Sequence, residues 1–207
     1  MTASLSLRCH CGTVRGVAVD MSPSAFNHVI CYCDDCQAFA RFLGRADTVD
    51  AQGGTEIVQT TPSRIRITDG NSELRCVRLS EKGLMRFYAG CCRTPIGNLV
   101  YPRLPFVGVV HSFLGDGAEG QPRDAILGPV AARIQGRFAI GGVPPGAHPS
   151  ASLSVIAPFM VKLLRAFFRR EYQPSAFFDM ETKRPVVEPE VLTSEQRKSL
   201  RPAAVPT

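Results

Sequence analysis

No stretch of the 207 residues approaches the ~18 consecutive apolar positions that a spanning helix needs. An integral helical membrane protein is therefore excluded as a reading. The opening residues, Met-Thr-Ala-Ser-Leu-Ser-Leu-Arg, lack the basic start, long apolar stretch and small-residue cleavage site of a secretory leader, so a cytoplasmic location is expected. Charged residues make up only 20% of the chain and mean hydropathy is near zero, which excludes a wholly disordered protein. There is no aromatic-interleaved basic stripe and no nucleic-acid motif. The net charge of +6 is accordingly read as a solvated basic surface, with neither nucleic acid nor membrane expected as a partner.

What is present in quantity is cysteine. Eight occur, and seven of them fall in three tight clusters. A reducing compartment disfavours disulfides, and buried hydrophobes have no reason to bunch in this way. Cys9-His10-Cys11-Gly12 follows a strand-like run, and in an extended chain Cys9 and Cys11 share one face. Gly12 lets the backbone turn close to a metal centre. In Cys31-Tyr32-Cys33-Asp34-Asp35-Cys36 the same alternation joins Cys31 to Cys33, and the two-residue gap brings Cys36 onto the same ion. Three thiolates leave the fourth corner of a tetrahedral zinc open, the pattern of a catalytic rather than a structural site. The third cluster is Cys91-Cys92-Arg93-Thr94-Pro95; adjacent side chains diverge, so one or both of its cysteines complete the Cys9/Cys11 pair. Cys76 stands alone in an alternating run and reads as a plain strand residue.

These three clusters, in this order and spacing, resemble the glutathione-dependent formaldehyde-activating enzyme family, which also contains the centromere protein V-like proteins. The resemblance covers roughly residues 5–110. It implies a mainly β fold, an antiparallel β-tent that binds zinc, followed here by a C-terminal helix and an extended tail. It assigns Cys31, Cys33 and Cys36 to a reactive zinc that takes the sulfur of glutathione. Cys9, Cys11 and Cys92 go to a structural zinc, with Cys91, His10 or water as the fourth ligand. The departure lies in the third cluster, since the family pattern C-x-x-C-G-T-P places a cysteine at Ala89 and a glycine at Arg93. The activity implied is that of a carbon–sulfur lyase forming or cleaving S-hydroxymethylglutathione, with thiol capture favoured because three cysteinates make the zinc a poor Lewis acid. The other reading is a non-catalytic zinc-stabilised binding module in which both metals are structural. Asp34 and Asp35 read as turn-forming acids; Arg41, Arg93 and Arg103 are candidate partners for glutathione carboxylates.

The organisation expected is a zinc-binding β domain over 1–115, a loop-rich connection over 116–150, and a helix with a Pro-containing tail over 151–207. Strands are expected at 56–60, 64–68, 73–79, 84–88 and 107–113, and loops at 115–120 and 141–149. His111 reads as a core histidine. Over 153–170, Val155, Ile156, Phe159, Met160, Leu163, Leu164, Phe167 and Phe168 recur at helical spacing, with Lys162, Arg165, Arg169 and Arg170 between them. That helix is expected to pack on the β domain or on a second subunit of a homodimer. Phe177-Phe178 reads as an anchor for the tail, and residues 201–207 as disordered.

Overall fold

Short alternating runs pair into two sheets in the computed structural model, which describes residues 3–22, 25–150 and 153–201, the side chains of 154 and 155 excepted. The expectations for residues 202–207 and for Val155 lie outside what is described. The strands are β1 (Ala3–Arg8), β2 (Arg15–Met21), β3 (Asn27–Cys31), β4 (Thr55–Thr60), β5 (Ile65–Asp69), β6 (Leu74–Arg78), β7 (Met85–Ala89), β8 (Pro95–Leu99), β9 (Val107–Val110), β10 (Leu114–Gly117), β11 (Ala132–Ile134) and β12 (Glu190–Val191). The helices are α1 (Asp34–Leu43), α2 (Arg123–Leu127), α3 (Leu153–Phe168) and α4 (Ser194–Leu200).

The smaller sheet has the order β10-β1-β2-β5, all antiparallel. The larger is β11-β3-β4-β9-β8-β7-β6-β12. Its middle is antiparallel, but β11 runs parallel to β3 and β12 parallel to β6, so the sheet is mixed rather than wholly antiparallel. Both parallel strands come from the later part of the chain, which closes the two edges of the sheet. The fold is mainly β with a C-terminal helix.

One core lies between the sheets, joining Leu5, Leu7 and Ala18 to Phe87, Ile96 and Val109. The tail enters the same core: Phe177 is fully buried, its ring 5.0 Å from that of Phe87. On the far side of the large sheet, α1 packs Ala38, Phe39 and Leu43 against Val77 and Leu79. Every residue of β8 is consequently buried, as the middle strand of a sheet covered on both faces must be.

Two expectations change at the backbone. The run 107–113 is not one strand, because β9 stops at Val110 and a 3-10 turn at His111–Phe113 redirects the chain into β10. The loop expected over 115–120 begins as that strand, pairing Gly117 with Leu5. A Cβ at Gly115 would stand 2.5 Å from the Ser6 hydroxyl, so the glycine serves close strand approach instead of a turn.

Candidate metal centres

The first sulfur group forms where two turns meet. β1 ends at Arg8, and the chain then folds back on itself, with the Gly12 N–H donating to the Cys9 carbonyl at 2.9 Å and the Cys9 N–H to that of Val14 at 3.0 Å. Gly12 sits at φ +80, and a Cβ there would stand 2.8 Å from the Arg8 guanidinium. It is thus the turn, not strand alternation, that aims Cys9 and Cys11 together. The partner turn joins β7 to β8, where the Arg93 N–H donates to the Ala89 carbonyl and the Ala89 N–H to that of Thr94. Arg93 holds φ +55, a left-handed position at a site where the resembled pattern has glycine.

All four sulfurs of Cys9, Cys11, Cys91 and Cys92 lie within 4.8 Å of one another. Individual separations are 3.6 Å for Cys9–Cys11, 3.8 Å for Cys9–Cys91, 3.3 Å for Cys11–Cys91 and 3.9 Å for Cys91–Cys92. A tetrahedral ion with metal–sulfur bonds of about 2.3 Å sets edges of about 3.8 Å, so this donor set fits. Both adjacent cysteines converge on the centre, and His10 contributes its backbone N–H, to Thr94 Oγ1 at 2.9 Å. Cys91 supplies the sulfur that the resembled pattern carries at Ala89, which is itself a buried strand residue.

Polar groups around this cage favour thiolates. The Val14 N–H donates to Cys9 Sγ at 3.2 Å, and the Thr13 and Thr94 hydroxyls lie 3.2 Å from Cys11 and Cys92. Hydrogen bonds from Thr13 bring the exposed Cys11 thiol down to about 6. Burial raises Cys9, and it pushes Cys91 up to about 12 with help from the neighbouring sulfurs. Burial also acts to raise Cys92, but hydrogen bonds from Thr94 and the Cys11 backbone lower it on balance. Arg45, gripped by both carboxylate oxygens of Asp47, reaches Thr94 Oγ1 at 3.1 Å and the Cys92 carbonyl at 3.3 Å.

The second group is different in kind. The sulfurs of Cys31, Cys33 and Cys36 lie within 4.8 Å of one another, and no fourth His, Cys, Asp or Glu atom joins them among the described residues. β3 ends at Cys31, and Cys33 is the N-cap of α1, accepting the Cys36 N–H at 3.4 Å. A strand-to-helix turn therefore assembles the trio: the turn expected to bring in Cys36 is the start of a helix, and Cys31 and Cys33 are not joined by alternation along one strand as expected. The helix N-terminus adds positive potential beside two of the sulfurs. Cys36 is buried; hydrogen bonds from the Cys31 and Cys33 sulfurs, and then the Arg86 charge, hold it well below the usual thiol range. Cys31 is raised by its hydrogen bonds to the other two sulfurs and by burial. Cys33 is lowered by Cys31 but pushed up further by Cys36 and burial, to about 12.

Arg86 was not anticipated from the sequence. It is buried, with Nη1 4.0 Å from Cys36 Sγ and 3.3 Å from Asn98 Oδ1, its guanidinium 5.4 Å from the centre of the Phe39 ring. Arg86 and Asn98 are cross-strand partners on β7 and β8. The available signal was a cation inside an otherwise apolar strand, Met85-Arg86-Phe87. These two side chains and Thr48 and Thr55 border a cavity of about 10 Å³ beside Cys36, room for roughly one water-sized group. The Thr55 hydroxyl is buried there with no hydrogen-bond partner.

The other candidates are engaged elsewhere. Asp35 pairs with Arg197 at 2.9 Å, and Arg201 with Asp34 at 2.9 Å, which fastens α4 across the first turn of α1. Arg41 and Arg93 donate to the carbonyls of Leu200 and Phe42, and Arg103 is exposed. His111 belongs to neither sulfur group, and Cys76 is an isolated core thiol that burial pushes up to about 12. From the segment 131–140, Ala132 and Ile134 pack against Cys31 and Cys36, and the Phe138 carbonyl accepts from Gln37. A family model aligns with residues 1–190, a span that holds both sulfur groups and α3 but not α4. The chain belongs to DUF6151, a family of unknown function. No curated protein matches the chain. DUF6151 membership thus brings no activity with it, and the chemistry must be argued from the two sulfur groups, each of which can hold a metal ion.

Proposed function

We propose that this chain is a two-zinc β-tent protein in which Cys9, Cys11, Cys91 and Cys92 hold a structural ion and Cys31, Cys33 and Cys36 hold a reactive one. Its activity is that of the resembled family: a small thiol such as glutathione is captured at the three-cysteine centre for carbon–sulfur bond formation or cleavage with formaldehyde. The observation that carries this reading is the contrast in donor number, four sulfurs in one group and three in the other. When bound, zinc supplies an electrophilic corner at which a thiol loses its proton near neutral pH.

The chain's own residues support that chemistry. Three thiolates carry −3, and a divalent ion with the Arg86 guanidinium beside Cys36 balances them, so a poor Lewis acid becomes one that tolerates a further anionic sulfur. At 4 Å, each opposite-charge contact of this kind is worth about 4 kcal/mol at an effective dielectric of about 20. Cys33 is the half-buried member of the trio, so a thiol approaches past it. Beside Cys36, Arg86 and the unpartnered Thr55 hydroxyl border a cavity with room for roughly one water-sized group, where they can donate to the aldehyde oxygen.

The test is elemental analysis followed by glutathione titration calorimetry on the wild type and on Cys33→Ser. The expected result is two zinc ions per chain and binding heat in the wild type, and one ion with no heat in the variant. Two ions with neither heat nor a shift in melting temperature would leave both metals structural, the binding-module reading.

A further inference from the structure

α3 has two apolar faces, and the domain covers only one. Toward the sheet, Phe159 meets Phe106 edge-on at 5.7 Å, Ala166 is buried, and Lys162 Nζ donates to the Phe26 carbonyl at 2.7 Å and to Asn27 Oδ1 at 3.0 Å. On the opposite side Leu153, Ala157, Val161, Leu164 and Phe168 follow one another at intervals of 4, 4, 3 and 4 residues, a continuous stripe on a 3.6-residue period. Leu153 is 82% exposed, Val161 50%, Leu164 58% and Phe168 76%. A helix apolar on both sides normally lies inside a protein, and an exposed stripe of this kind marks a contact surface.

Charge selects the occupant. From Leu153 to Arg170 the chain carries Lys162, Arg165, Arg169 and Arg170 and no carboxylate. Arg165 and Arg170 are exposed beside the stripe. Arg169 and Arg165 also edge a cleft of about 550 Å³ that runs along the helix toward Arg64. Glu171 and Asp20 are its acids; Glu171 Oε2 is 3.5 Å from Arg64 and its Oε1 4.0 Å from Arg169. A second copy of α3 would offer these cations no acid on the facing helix, whereas a phosphate-bearing surface offers many. Sixteen residues span about 24 Å, and no helix among the described residues is long and apolar enough to cross a bilayer, so the helix would lie in the interface rather than traverse it.

We infer that α3 is a membrane-surface helix: its outer stripe enters the boundary between headgroups and acyl chains of an anionic phospholipid leaflet, and Arg165, Arg169 and Arg170 meet the lipid phosphates. This departs from the expectation of no membrane partner. It stands on the helix alone and is independent of the metal centres.

The experiment is vesicle flotation of the full chain, with phosphatidylcholine vesicles and with vesicles containing roughly a quarter phosphatidylserine. The wild type is expected to float with the anionic vesicles, to stay down with phosphatidylcholine alone, and to be released by about 0.5 M salt. Leu164→Glu/Phe168→Glu changes exposed side chains only; it is expected to keep the wild-type melting temperature and lose flotation. Arg165→Gln/Arg170→Gln is expected to weaken partitioning about fivefold for each arginine. Failure of the wild type to float overturns the inference, as does equal flotation with both vesicle types. A dimer by light scattering that the double glutamate variant splits, with no flotation, assigns the stripe to a second copy and overturns it equally.

Discussion

A buried arginine without a carboxylate partner is costly unless something else supplies negative charge. Arg86 has an amide oxygen, an aromatic face and the Cys36 sulfur around it, so thiolate is the anion it answers. Arg86→Met keeps the length and removes the charge; the expected result is about 10- to 100-fold weaker zinc retention at the three-cysteine centre. Chelator challenge followed by metal analysis checks this, since one ion per chain should leave early while the four-sulfur ion stays. Equal retention of both ions would show that Arg86 only fills space. A second residue-scale prediction concerns His28, whose Nε2 lies 2.6 Å from Glu56 Oε1 and whose Nδ1 lies 3.0 Å from the Gly128 carbonyl. The Glu56 carboxylate raises His28 above 6.5, and the His28 hydrogen bond holds Glu56 below 4.5. The histidine's contribution is complete below 6.5 and fades as pH rises through its raised value. The glutamate's is complete above 4.5 and fades as pH falls through its lowered value. Glu56→Gln should therefore cost about 2 kcal/mol between pH 4.5 and 6.5, and the gap from wild type should narrow at higher pH in denaturant titrations.

At the scale of elements, the strands were legible because β4, β5 and β6 carry β-branched residues in short runs between turn-forming ones. α1 was not, although Cys36, Phe39, Ala40 and Leu43 stand at i, i+3, i+4 and i+7 and all four are buried. The cysteine spacing fits a strand-like alternation, while the Asp34-Asp35 first turn and Gly44 at φ +63 are helix start and stop signals. Membership of the three-cysteine group was readable from spacing, since the two-residue gap works as well on a helix cap as on a turn. The convergence of Cys91 with Cys92 was not, because it depends on the left-handed Arg93 that reverses the chain after them. Nor was α4, whose docking rests on long-range ion pairs that no local pattern announces. Each of those half-exposed pairs is worth about 0.5 kcal/mol, so Arg197→Ala should loosen α4 without unfolding the domain. Faster hydrogen exchange over 194–200 at a nearly unchanged melting temperature is the expected outcome; unchanged exchange would mean that Leu200 and the capping box at Thr193 hold the helix unaided.

For the molecule as a whole, the two sulfur groups do different mechanical work. Cys9 and Cys91 are 82 positions apart and belong to turns leaving different sheets, so an ion there ties the small sheet to the large one. Cys31 and Cys36 close a loop inside six residues, between a strand and the helix that follows it. By the chain-entropy argument, a crosslink closing about 80 residues restricts the unfolded chain by about 4.5 kcal/mol, and one closing about five residues by about 2 kcal/mol. Cys91→Ser also leaves three thiolates at a half-exposed centre with no Arg86 equivalent, since Arg45 is already committed to Asp47. The expected ranking is therefore steep. Cys91→Ser should lower the melting temperature by about 10 °C or more, at about 2–4 °C per kcal/mol for a chain of this size, whereas Cys33→Ser should lower it by about 4–8 °C. Thermal melts of the two variants, each with its metal content measured, decide the matter. If Cys33→Ser proved the more damaging, the three-cysteine group would be the staple, and the assignment of a reactive centre to it would fall with that result.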